Sequence, residues 1–251
     1  MGSFRKTAKY WLPPVIVDLL RHSRNRSAHQ NPISIPNADL YKPLFSPWLG
    51  LQPFAGVYEK ARVVSLVSAD RCWVLYTLAR QAMKLPGDIW ETGVYRGGTA
   101  VLLREVIAQS GIARSMRLFD TFEGMPETDP TRDLHNRGDF SDTSLESVRA
   151  VIGSEPWIFY HKGYIPATFL GLEAEKIALA HIDVDIYRSI LDSCEFIYPR
   201  LLHGGFMIFD DYGFASCPGA RQAVDEFFSE KPEKPLVLPT GQAVVFKSPA
   251  L

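Results

Sequence analysis

Cysteine is scarce in this chain of 251 residues: there are three, at positions 72, 194 and 217. They are scattered, odd in number and without any C-x-x-C spacing, which argues against a disulfide framework or a zinc site. Neither sign of charge is in excess. The formal net charge of -1 gives no electrostatic reason to expect nucleic acid or an anionic membrane as partner. No apolar run approaches the roughly 18 residues that a bilayer span requires. The apolar segment Tyr10 to Leu20 is too short to span, carries Asp18 and has no A-x-A cleavage signal, so it does not read as a signal peptide. Gly2 is followed by Lys6 where a myristoylation signal places Ser or Thr. The segment reads instead as a helix packed on the main domain, on a second subunit or on a surface. A reducing, cytoplasmic setting follows from the cysteine usage.

Internal repeats and low-complexity tracts are also absent from the sequence. An apolar share of 46% and a charged share of 22% are ordinary for a globular protein. The length fits one α/β domain with an N-terminal extension. Residues 1–60 read as that extension, because prolines at 13, 14, 32, 36, 43, 47 and 53 interrupt every run. Such a loop-rich segment suits a substrate lid or a contact in a homo-oligomer. Residues 61–251 carry a different pattern. A helix is expected from about Asp70, which can cap it, and Pro86 and Gly87 end it. Short apolar segments then alternate with helical ones, which predicts a mostly parallel sheet with helices on both faces. The closing pair of strands around Pro239, Thr240 and Gly241 adds one antiparallel edge strand.

In such a sheet, ligands bind at the carboxyl ends of the strands. After the first strand stands Glu91-Thr92-Gly93-Val94-Tyr95-Arg96-Gly97-Gly98-Thr99. Its spacing is G-x-x-x-G-G. A dinucleotide fingerprint needs a glycine where Tyr95 stands, and no G-K-[ST] triplet makes a phosphate loop. An acid ahead of the glycines suits a cationic or amine-bearing ligand better than a phosphate. Asp120, 22 residues beyond Gly98, can accept hydrogen bonds from ribose hydroxyls. A nucleoside with an amino-acid-like tail satisfies both, and that describes S-adenosylmethionine, its ammonium near Glu91 and its carboxylate near Gly97 and Gly98. Read singly, each feature also has a packing explanation: a tight turn for the glycines, a cap for the acid.

Asp183 and Asp185 follow the fourth strand, and Asp210 and Asp211 the fifth. Four carboxylates at neighbouring strand ends would repel one another. An all-oxygen set suits Mg²⁺, Mn²⁺ or Ca²⁺. For some of them plainer pairings exist, such as Asp185 with Arg188.

Together, "GDIWETGVYRGGTA", "LFDTFEGMP", "DFSDTSLESVRAVI", "HIDVDIYRSILDSCEFIYPRLLHGGFMIFDDYG" and "PGARQAVDEFF" resemble the macrocin O-methyltransferase family, metal-dependent class I enzymes that methylate sugar or phenol hydroxyls. The resemblance covers roughly Ser68 to Lys247. It implies a Rossmann-like seven-stranded methyltransferase fold, and Mg²⁺ on Asp183, Asp210 and Asp211. It implies S-adenosylmethionine lined by Glu91, Gly93, Gly97, Gly98, Thr99, Asp120, Thr121, Phe122 and Ser141. Phe122 and Phe140 both qualify to border the adenine. Asp185 and Tyr187 fall in the same motif, beside the metal. The sequence departs from the family's usual pattern at Val184, where a glycine is common, at His181, where an arginine is common, and at Arg188, where a glutamate is common. These changes leave the acceptor open.

The expected function is S-adenosylmethionine- and Mg²⁺-dependent O-methylation of a sugar hydroxyl in a small-molecule acceptor, with a catechol-like phenol as the alternative. Asp183 is the expected proton acceptor and His181 the second candidate. A nicotinamide-dependent oxidoreductase and a non-catalytic binding module are the rival classes. The first is disfavoured by the missing fingerprint glycine, the second by the intact set of acids.

Overall fold

The computed structural model describes residues 46–249. The segment Tyr10 to Leu20, and the expected extension as far as residue 45, lie outside them. Among the described residues no helix is long and apolar enough to cross a membrane.

Alternation along the strands dictates a sheet buried on both faces. In β1 (Asp88–Thr92), Ile89 joins one apolar cluster and Trp90 the other. The same split separates Leu118 from Phe119 in β2 (Met116–Asp120) and Leu179 from Ala180 in β4 (Ile177–Ile182). In β5 (Leu201–Phe209) it separates Ile208 from Met207. With β3 (Ile158–Lys162), β6 (Leu236–Val237) and β7 (Ala243–Phe246) these make one seven-stranded sheet, ordered β3-β2-β1-β4-β5-β7-β6. Strands β1 to β5 run parallel, and β7 runs antiparallel to both β5 and β6. The expected mostly parallel α/β sheet is what forms. Its reversed strand β7 lies one place inside the edge, and the two-residue β6 makes the edge itself.

One cluster packs under α1 (Phe54–Ala61), α2 (Ala69–Ala82), α3 (Gly98–Ser110) and α4 (Leu145–Ile152). The other packs under α5 (Tyr187–Ile197) and α6 (Pro218–Phe228). Helix α1 arises within the stretch that reads as irregular from its prolines. Phe54, Val57 and Ala61, spaced along one helix face, are buried, and Phe54 packs on Trp73 and Tyr76 with centroids 5.1 and 5.4 Å apart. Helix α2 starts at Ser68, and Asp70 sits inside its first turn, where a carboxylate still favours the helix dipole. Ser144 caps α4 and is capped in return by Ser147, two hydrogen bonds of 3.1 Å.

Candidate active site

The strand order turns at β1, with β2 on one side and β4 on the other, so a crevice opens past their carboxyl ends. A cavity of about 280 Å³ lies there. Gly93 has φ +81°, and a Cβ on it would collide with the carbonyl oxygen of Asp183, so only glycine lets these two loops touch.

The cavity wall contains Gly93, Gly98, Thr99, Asp120 and Thr121 from the expected cofactor set. Gly98 and Thr99 open α3, and their position offers unpaired helix N–H groups to an anion. Gly97, Phe122 and Ser141 do not reach the wall. Gly97 takes φ +88° at the start of α3 and packs on Ile152. Ser141 is exposed and lies against Gly124. Phe122 is buried in the core, whereas Phe140 lines the cavity, which separates the two aromatic candidates.

Asp120 is anchored by backbone. Its Oδ2 accepts from the N–H groups of Val94 (2.7 Å) and Tyr95 (2.9 Å), and its Oδ1 from that of Phe122 (2.7 Å). Three of a carboxylate's roughly four acceptor positions are thus taken, which ties the glycine turn to the end of β2 and leaves about one position for a ligand hydroxyl.

Glu91 and His181 depart from the sequence reading. Both are wholly buried, and neither lines the cavity. They are register partners on β1 and β4, and His181 Nδ1 lies 2.8 Å from Glu91 Oε1. Burial depresses the imidazole pKa, but Asp210 and Glu91 outweigh it and hold it at about 10. His181 thus stands behind the cavity wall between Glu91 and Asp210, rather than facing an acceptor.

Asp183, Asp185, Asp210 and Asp211 all line the cavity. Their environments differ. Asp210 is compensated: Arg71 pairs with its Oδ2, Gln242 Nε2 donates to its Oδ1 at 2.7 Å, and His181 Nε2 stands 3.6 Å away. Burial raises its carboxyl pKa, yet these partners win and hold it below the ordinary value. Asp183 and Asp211 have no basic side chain paired with them among the described residues. Burial first, and then the neighbouring carboxylates, push both carboxyls well above the ordinary range. Asp211 keeps one internal donor, the N–H of Asp185 at 3.0 Å. Arg188 pairs with Asp192, leaving Asp185 to face His135 and Cys217.

Arg71, Gln242, His135 and Cys217 escaped the sequence reading. Arg71 comes from the first turn of α2 and Gln242 from just before β7, far from any motif. Another signature is backbone strain: Tyr95, Phe122, Phe140 and Asp185 all have φ between +50° and +60°. Three of these four line the cavity, where such strain concentrates in functional sites.

A seven-stranded sheet with this order and a cavity at its switch point defines the Rossmann-like class I methyltransferase fold. Within that class, residues 65–247 match the Macrocin-O-methyltransferase (TylF) family, and the chain belongs to it. Over 155 residues the chain is 35% identical to the 8-demethyl-8-(2,3-dimethoxy-alpha-L-rhamnosyl)-tetracenomycin-C 4'-O-methyltransferase of Streptomyces olivaceus, covering 57% of this chain and 58% of that one. It is 31% identical over 157 residues to the mycinamicin III 3''-O-methyltransferase of Micromonospora griseorubida, covering 57% of this chain and 61% of that one. The chain thus spans about three fifths of the length of these relatives. Among solved structures, the O-methyltransferase NovP superposes with a TM-score of 0.68 at 24% identity, over 74% of this chain and 83% of that one. The calicheamicin methyltransferase CalS11 superposes with a TM-score of 0.63 at 19% identity, over 80% and 88%. At these identities the structures establish the fold.

Proposed function

We propose that the protein is an S-adenosylmethionine- and Mg²⁺-dependent O-methyltransferase acting on a hydroxyl of a sugar moiety. The observation that carries this reading is the juxtaposition, in one cavity, of the glycine turn and two acids, half-buried Asp183 and buried Asp211, that have no basic partner among the described residues. A rhamnosyl group in the name of one relative supports a sugar as acceptor.

The residues present fit both groups. S-adenosylmethionine would supply the methyl carbon, and a divalent cation the positive charge that orients an acceptor and acidifies its hydroxyl. Gly98 and Thr99 at the α3 N-terminus would hold a carboxylate. Asp120 offers its remaining acceptor position to a ribose hydroxyl, and Phe140 borders the base. Asp183 and Asp211 repel each other across the cavity, and that repulsion is what a hard cation relieves. Asp183, which faces the cavity, would take the proton of an acceptor hydroxyl.

The test is methyl transfer from labelled cofactor to a panel of glycosides, with Mg²⁺ and with EDTA. Turnover that requires the metal, and that drops by about 10²–10⁴-fold in Asp183→Asn, is expected. Turnover that survives EDTA, or a variant with near-normal rate, would overturn the reading.

A further inference from the structure

We propose that His135, Asp185 and Cys217 form a binding site for a zinc-class divalent cation, separate from the all-oxygen set of Asp183, Asp210 and Asp211. Cys217 Sγ lies 3.7 Å from His135 Nε2 and 3.4 Å from Asp185 Oδ1, and His135 Nε2 lies 3.8 Å from Asp185 Oδ1. Metal bonds of about 2.0–2.1 Å to nitrogen or oxygen and about 2.3 Å to sulfur, at tetrahedral angles, place such atoms roughly 3.3–3.5 Å apart. The three donors therefore already stand within about 0.5 Å of one face of a zinc tetrahedron.

The donor types select the ion. Thiolate and imidazole are ligands for zinc and its neighbours, whereas magnesium and calcium take oxygen. His135 is oriented for the role: its Nδ1 meets Asp139 Oδ2 at 3.2 Å, so Nε2 is the nitrogen turned to the site. A carboxylate behind a histidine is the support that zinc histidines commonly have. Asp185 is fixed by its N–H bond to Asp211 and by a φ of +57°. Cys217 is 3% exposed and ends the loop ahead of α6.

Local cysteine spacing reports only on ligands that neighbour one another in sequence. Here the ligands are 50 and 32 residues apart, and the sheet assembles them. On binding, the Cys217 S–H bond breaks, its proton goes to solvent, and the sulfur lone pair forms the metal bond with no change of oxidation state. The ion would tie the β2–α4 loop to the ends of β4 and β5. All three residues line the cavity, so the fourth position is left to water or to a ligand oxygen. The site shares its cavity with the proposed methyl-transfer centre, but its test reads metal binding and does not depend on turnover.

Co²⁺, used as a spectroscopic stand-in, tests this on metal-free full-length protein. One equivalent should give a thiolate-to-cobalt charge-transfer band and the intense visible bands of a tetrahedral ion, displaced by Zn²⁺ and unaffected by Mg²⁺. Cys217→Ser should lose the charge-transfer band. His135→Ala should weaken binding at least tenfold, and Asp139→Asn by about tenfold. Asp183→Asn should keep the band, and circular dichroism reports whether each variant is folded. A wild-type complex without the charge-transfer band, a band that persists in Cys217→Ser, or a band lost in Asp183→Asn would overturn the proposal.

Discussion

His181 Nδ1 lies 2.8 Å from Glu91 Oε1, and both side chains are wholly buried between β1 and β4. A glutamate that met the cofactor's ammonium would matter chiefly to cofactor affinity. A glutamate that neutralises a buried imidazolium matters to the fold itself. Glu91→Leu should therefore destabilise the ligand-free protein by about 3–5 kcal/mol, the usual cost of stranding one member of a buried pair. The double variant Glu91→Leu/His181→Phe should recover a large part of that loss, since exchanging a whole buried pair for apolar groups is often neutral. Urea unfolding monitored by fluorescence reads both values. A single variant costing less than about 1 kcal/mol would show that the pair does not support the fold.

Asp211 predicts a conflict between stability and function. Its carboxyl is raised by burial and by Asp183, Asp185 and Asp210, so folding favours its neutral form. By linkage, that contribution is fully present below the ordinary carboxyl value and is lost as pH rises from there through the raised folded value. At neutral pH the metal-free protein carries the penalty. Asp211→Asn removes the charge and keeps an oxygen for the Asp185 N–H. Differential scanning calorimetry without metal should show a Tm higher by roughly 2–4 °C, the shift that about 1 kcal/mol produces in a domain of this size. Added Mg²⁺ should stabilise the wild type and leave the variant unchanged. A lower Tm in the variant would sink this account.

Arg71 pairs with Asp210 at a position where a divalent cation would compete with it. Its guanidinium also sits 4.7 Å from the centre of the Phe214 ring, so it is held on two sides. Arg71→Ala should destabilise the metal-free protein, by less than the ~3–5 kcal/mol of a fully stranded buried charge, because Gln242 and His181 still face Asp210. The same change should tighten Mg²⁺ binding, read by calorimetric titration, because the ion no longer displaces a bound cation. Weaker Mg²⁺ binding in that variant would mean that Arg71 supports the metal site rather than opposing it.

Much of this site is legible in the sequence because it is local. Period-two strands ending in acids give Asp183, Asp210 and Asp211. The glycine turn gives Gly93 and Gly98. What is not legible depends on register across long separations. Glu91 faces His181 because β1 and β4 pair in one register rather than its neighbour, over 90 residues of sequence. Asp120 looks like a free ribose acceptor until the fold turns three backbone N–H groups onto it. Phe122 and Phe140 are alike in sequence and differ only in where their loop sends them. Arg71 and Gln242 approach Asp210 from opposite ends of the domain, and no spacing rule joins them.

His161 supplies a pH dependence away from the acids. It lies on β3 with its ring stacked on Phe119, centroids 4.5 Å apart and planes within 11°. Its Nε2 is buried and has no hydrogen-bond partner among the described residues. Burial, and then the charge of Arg117, lower its pKa, so folding favours the neutral ring. By linkage, the stabilising contribution is present above the unfolded histidine value of about 6.5 and is lost as pH falls through it toward the lower folded value. His161→Phe preserves the stack and cannot titrate. The stability difference between wild type and variant, measured by urea unfolding at pH 8 and again near pH 5, should shift in the variant's favour at the acid end. A difference that stays constant between the two pH values would show that His161 titrates alike in the folded and unfolded chains.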